Sequence, residues 1–154
     1  MPKRDPVNTT TDAARTLARS ILDQTRFGAL SVIIDPGIPY VARVAMVPDN
    51  GGLLTLISTL STHTKAMQKK PDFAALIGEP KTKGDPLTHP RMTIMGTAEV
   101  ADKAANKQRW LDAIPKAKLY YDFTDFRLFR LQPTKIHLNG GFGKAYRLSA
   151  DDIR

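Results

Sequence analysis

Apolar positions first recur at helical spacing. Ala14, Leu17, Ala18, Ile21 and Leu22 share one face of a segment with Thr10 or Thr11 as N-cap and Asp12 at the positive helix end. The period then shortens. Residues 27–34 (FGALSVII) are rich in β-branched side chains and stop at Asp35, Pro36 and Gly37, and residues 40–47 (YVARVAMV) stop at Pro48, Asp49, Asn50, Gly51 and Gly52. Both read as strands of a meander. Residues 53–58 give a third strand, residues 62–70 a short helix ended by Pro71, and residues 73–77 a fourth strand. The proline-rich stretch 79–90 is a loop. Residues 91–100 (RMTIMGTAEV) form a fifth strand in which Gly96 marks a bulge or a close backbone approach. Residues 101–121 have helical composition broken at Pro115, with Trp110, Leu111 and Ile114 as the buried stripe, and residues 126–131 and 135–138 supply the last strands.

Six or seven short strands with few helices between them predict a mainly β, α+β protein. The expected architecture is a six- to seven-stranded antiparallel split β-barrel of Greek-key type with flanking helices, not a doubly wound parallel sheet. The length of 154 residues suits one domain over 1–154, with residues 1–10 as a flexible N-terminal arm. A chain 42% hydrophobic and 25% charged can build a core. It contains no apolar run of membrane-spanning length and no secretory leader in MPKRDPVNTT, so the expected compartment is the cytoplasm. The absence of cysteine excludes disulfides, thiolate nucleophiles and cysteine-based metal centres.

A formal charge of +8 favours an anionic partner. The basic residues are scattered, without the dense block of a nucleic-acid tail, which leaves the phosphate of a nucleotide cofactor or a merely solvated surface. His63, His89 and His137 lie on different elements without metal-site or serine-elbow spacing, and no metal centre or catalytic side chain is predicted. The glycine-rich NGGFGKA (139–145) matches neither a phosphate loop nor a dinucleotide fingerprint. A stronger candidate is STLSTHTK (58–65), where a strand runs into a helix start crowded with hydroxyls. Unpaired N–H groups, the helix dipole, Ser58, Thr62, Thr64, Lys65 and a protonated His63 could all face an anion, although Ser61 or Thr62 could equally be a plain N-cap. Arg43, alone on an apolar strand face, and Arg91, opening another strand, add charge to the same reading.

The order PYVARV, LISTLSTHTKAMQKKPDFAALI, GDPLTHPRMTIMGTAEV and DFRLFRLQPTKIHLNGGFGKA resembles the pyridoxamine 5′-phosphate oxidase-like FMN-binding split barrels, most of all their haem-utilisation branch. The resemblance runs over about residues 18–145, and GDPLTHPR and GGFGKA are its specific parts. It implies a homodimer with FMN in clefts at the subunit interface. Arg43 then matches the arginine of the flavin-contacting strand, Val44 and Ala45 lie along the ring system, and His63 and Thr64 match the phosphate pair with Lys65 beside them. Arg91 matches the polar position of the next strand. Thr62 and His63 stand where the vitamin B6 oxidases carry arginine and lysine, and nothing after His137 is a histidine that could serve as the branch's haem ligand. The resemblance thus implies an FMN-dependent oxidoreductase of undefined substrate. Its alternative is a haem-binding or haem-degrading protein of the same fold, with His137 as the one substitute iron ligand, expected as a strand histidine packed beneath a turn. A third reading, a basic nucleic-acid-binding protein, rests on charge alone.

Overall fold

The computed structural model describes residues 5–154. Its strands are β1 (Val7–Asn8), β2 (Phe27–Ile34), β3 (Ile38–Ala45), β4 (Val47–Asp49), β5 (Gly52–Ser58), β6 (Asp72–Ile77), β7 (Arg91–Val100), β8 (Phe126–Asn139) and β9 (Ala145–Leu148). The helices are α1 (Asp12–Gln24), α2 (Thr62–Lys69) and α3 (Lys107–Ala113), with short 3-10 turns at Pro86–Thr88, Pro115–Leu119 and Ala150–Ile153. Among the described residues no helix is long and apolar enough to cross a membrane.

The strands run in the order β1-β9-β8-β7-β6-β2-β3, with β5 joined to both β4 and β8. Strand β8 is shared between two half-sheets: its first half pairs with β5 and its second with β9, while β7 lies along its other edge. This is the mixed α+β split barrel the pattern predicts. Of the arm expected at residues 1–10, residues 1–4 lie outside the described residues, and Val7–Asn8 pair in parallel with Ala145–Tyr146.

Helix α1 begins where expected, with the Thr11 side chain accepting from Ala14 N at 3.1 Å. Its buried Ala14, Ala18 and Leu22 close the main core, which gathers Leu30, Val32, Phe73, Ile77, Ile94 and Ile136 inside the barrel. Strand β5 is buried on both faces. Leu53 and Ile57 enter the main core, while Leu54 and Leu56 enter a second cluster with Trp110 and Tyr121. The carboxylate of Asp49, 7% exposed, ties that cluster's shell together through Arg109 (2.9 Å) and Arg130.

Three expectations change. The strand foreseen at 40–47 divides at Met46, whose N–H bonds to Arg26 O, giving β3 and β4. The helical stretch 101–121 shortens to α3 and a 3-10 turn. The strands at 126–131 and 135–138 are one, because a bulge carries the chain past Pro133, which has no N–H to give. That bulge lies opposite the Met95/Gly96 step, and a Cβ on Gly96 would sit 1.9 Å from Gln132 O. It inserts one residue, so the core face of β8 passes from Phe129 and Leu131 to Ile136 and Leu138.

Candidate functional site

The change of face in β8 decides where His137 points. Beyond the bulge, even-numbered side chains enter the core and His137 stands exposed on the outer surface of the sheet. The expectation of a histidine packed beneath a turn is corrected by this inserted residue. On the flanking strands Thr93 and Arg147 lie directly opposite His137, and Lys135 projects beside it. Neighbouring strands are about 4.8 Å apart, so these groups surround the imidazole closely. The row continues through Leu76 and Ala29 to Arg43. Around it the outer surface is apolar, with Phe27 44%, Val41 62% and Leu76 47% exposed, together with Ala74 and Met95.

The other histidines differ in ways that matter for metal binding. His89 Nδ1 accepts from the Lys81 backbone N–H at 2.9 Å, so the proton resides on Nε2 and that nitrogen is a donor. The half-buried His63 is held below the ordinary histidine value by burial. The ring of His137 has no hydrogen-bond partner among the described residues, nor do Arg147 and Lys135 have an ion-pair partner there. No three His, Asp or Glu side chains converge as a metal centre among those residues. An isolated exposed imidazole flanked by cations and apolar surface fits haem, whose iron needs one axial ligand and whose propionates need cations.

The residues of the expected flavin site are spread over the molecule. Arg43 is exposed on β3, its guanidinium carbon 6.0 Å from the Phe27 ring centroid, and lines a cleft of about 690 Å3 between α1 and the sheet. Thr62 and Lys65 line a different cleft of about 410 Å3 between α2 and the β2–β3 turn. Val44 faces the main core and is 7% exposed. The Ala45 carbonyl accepts the Thr55 hydroxyl at 2.8 Å. Ser58 donates to Asp125 (2.7 Å) and accepts from Leu60 N. Arg91 donates to the carbonyls of Leu87 and His89 at 3.0 and 3.2 Å. At the start of α2 the Thr64 hydroxyl is fully buried and lacks a partner among the described residues. Sequence reading missed Arg147 and Lys135: β9 (AYRL) has four residues, too few to show alternation after the glycine-rich turn, and Lys135 on β8 is one of many scattered basic residues.

Comparison with known proteins agrees with this architecture. The family model described as CREG, beta-barrel matches residues 8–153. Heme oxygenase HutZ of Vibrio cholerae is 26% identical over 133 residues, 80% of this chain and 74% of that protein. A solved heme binding protein from Mycobacterium smegmatis is 27% identical with a TM-score of 0.85, covering 96% of this chain. The chain spans 61% of that protein's length. A pyridoxamine 5′-phosphate oxidase-type structure from Listeria innocua, 18% identical, shares the fold with a TM-score of 0.67 over 82% of this chain and 98% of its own. The chain belongs to the CREG beta-barrel family and has the split barrel of the pyridoxamine 5′-phosphate oxidase-like proteins.

Proposed function

We propose that the protein binds haem on the outer face of the sheet, with His137 as the iron ligand and Arg147 and Lys135 as partners for the propionates. The observation that carries this is the position of His137: exposed, without a hydrogen-bond partner among the described residues, and flanked by two unpaired cations beside an apolar surface. The names of the Vibrio and Mycobacterium relatives support the same ligand. Bound haem would supply the iron chemistry; the protein's part is an imidazole, two cations and an apolar seat. A second copy of the chain, covering Phe27, Val41 and Leu76, would complete the enclosure, and light scattering of the purified protein should then give a dimer mass.

Titration with haemin, followed at the Soret band, tests the ligand. We expect saturable binding at one haem per chain, weakened by at least about tenfold (1.4 kcal/mol) in His137→Ala. Wild-type affinity in that variant would remove His137 from the site. Haem cleavage, as in the enzyme HutZ is named for, is the activity to assay next. A flavin remains the second reading, favoured by the buried, unpartnered Thr64 hydroxyl at the start of α2. It ranks behind haem because Arg43 and the Thr62–Lys65 pair line separate clefts. A parallel titration with FMN separates the two.

A further inference from the structure

Two stretches that the proposed function leaves unused, GDPLTHPR (84–91) and GGFGKA (140–145), meet beyond the end of β8. A Cβ on Gly141 would lie 3.1 Å from Thr88 O, so the β8–β9 turn rests on the 3-10 turn at Pro86–Thr88. At this contact Leu87 is 60% and Phe142 77% exposed, and neither lines the cleft beside α1 or the one beside α2. Lys81, Lys83 and Lys144 are exposed on the same two loops, and their ammonium groups have no hydrogen-bond or ion-pair partner among the described residues. We propose that this double loop tip docks the protein on an anionic lipid surface. Phe142 and Leu87 enter the headgroup region and the lysines face the lipid charges.

The backbone of both tips is prepared for a poorly hydrated boundary. In the β8–β9 turn Gly140 N–H bonds to Lys144 O at 2.8 Å, Lys144 N–H to Gly141 O at 3.1 Å and Gly141 N–H to Asn139 Oδ1 at 2.9 Å. In the other tip Asp85 takes the N–H of Leu87 on its carboxylate and that of Thr88 on its carbonyl, while Pro86 and Pro90 have no N–H to satisfy. Groups already paired leave water at little cost. The tips are also braced. Arg91 donates to the carbonyls of Leu87 and His89, and Lys81 N–H donates to His89 Nδ1 at 2.9 Å, so docking orders little that is not ordered beforehand. Lys81, Lys83, Arg91 and Lys144 outnumber Glu79 and Asp85 on these loops, a cationic balance that matches anionic headgroups. A stable protein interface needs about 800 Å2 from each partner, which two projecting side chains at loop ends do not offer. Leu87, Phe142 and the three lysines are not among the residues given to the haem seat, and the proposal does not rest on that reading.

Co-sedimentation with vesicles of phosphatidylcholine containing about one third phosphatidylserine tests the docking, with pure phosphatidylcholine vesicles as reference. We expect binding to the anionic vesicles that fades as salt rises. It should weaken at least about tenfold when Leu87→Ser is combined with Phe142→Ser, and likewise when Lys81→Glu is combined with Lys83→Glu. Lys116→Glu with Lys118→Glu makes the same charge change on the exposed 3-10 turn at Pro115–Leu119 and should leave binding as it is. Emission from Phe142→Trp should shift to the blue on anionic vesicles, against a constant background from the fully buried Trp110. His137→Ala should dock like the wild type, so failure of the haem reading leaves this one standing. The proposal is overturned by absence of vesicle binding, by an equal loss in the Lys116 and Lys118 variant, by an unshifted emission from Phe142→Trp, or by loss of docking in His137→Ala. Tighter binding of polyglutamate than of vesicles would overturn it in favour of an acidic protein.

Discussion

Substituting Gly96 by alanine tests the bulge that orients His137. The Gly96 backbone needs no glycine conformation, so any effect comes from space alone. The new Cβ would lie 1.9 Å from Gln132 O, where contacts below 3.0 Å are essentially never seen, so β7 and β8 must part by about 1 Å. Losing two ladder hydrogen bonds at ~1 kcal/mol each, plus the local strain, amounts to about 3 kcal/mol. For a domain of this size that lowers the thermal midpoint by roughly 6 to 12 °C. Calorimetry or thermal circular dichroism measures it, and haemin titration on the same samples reports the site. A one-residue slip in β8 would exchange His137 with a core side chain such as Ile136, so haem affinity should fall with stability. A midpoint within about 1 °C of wild type would refute the steric account of the bulge.

Asp49→Ala should destabilise by about 2 to 3 kcal/mol in urea titrations, because the Arg109 and Arg130 contacts disappear while both guanidinium groups still reach water. It should leave the Soret titration unchanged, since Asp49 serves the second core. Thr64→Val should hold or raise stability by up to about 1 kcal/mol, as it deletes a buried hydroxyl that bonds to nothing among the described residues; a clear loss would mean the hydroxyl has a partner. Burial lowers the folded-state value for His63, so the folded protein holds fewer protons there than the unfolded chain. Its contribution is complete above the ordinary value of about 6.5 and is lost as pH falls through that value toward the folded one. Urea midpoints should therefore drop less between about pH 7.5 and pH 5.5 in His63→Gln than in wild type.

The sheet was readable wherever local chemistry and tertiary pairing agree. FGALSVII ends at a turn signal and forms β2 with the expected bounds, and Gly96 lies at a bulge as its place in a strand suggested. Pro133 misled, because proline normally ends a ladder, yet a bulge let β8 continue past it. Alternation within residues 135–138 (KIHL) sets Lys135 and His137 opposite Ile136 and Leu138; what it could not give is the change of parity relative to residues 126–131, which one unpaired residue inverts. The expected anion site combined Arg43 with the start of α2 because both carry suitable chemistry. The way β3 and α2 pack, which places them on different clefts, is a long-range property that no local spacing reveals.

The two described extremities of the chain are fastened to each other. Val7–Asn8 add to β9, and Arg15 of α1 holds Asp152 at 2.7 Å across 137 residues of sequence. Closing a loop of that length carries a large entropic penalty before any contact offsets it, so these ties form late in folding. During synthesis α1 must wait for nearly the whole barrel before its companion at Ala150–Ile153 exists. Until then Ile153, which joins the same core as Ala14, Ala18 and Leu22, is missing from the surface on which α1 packs.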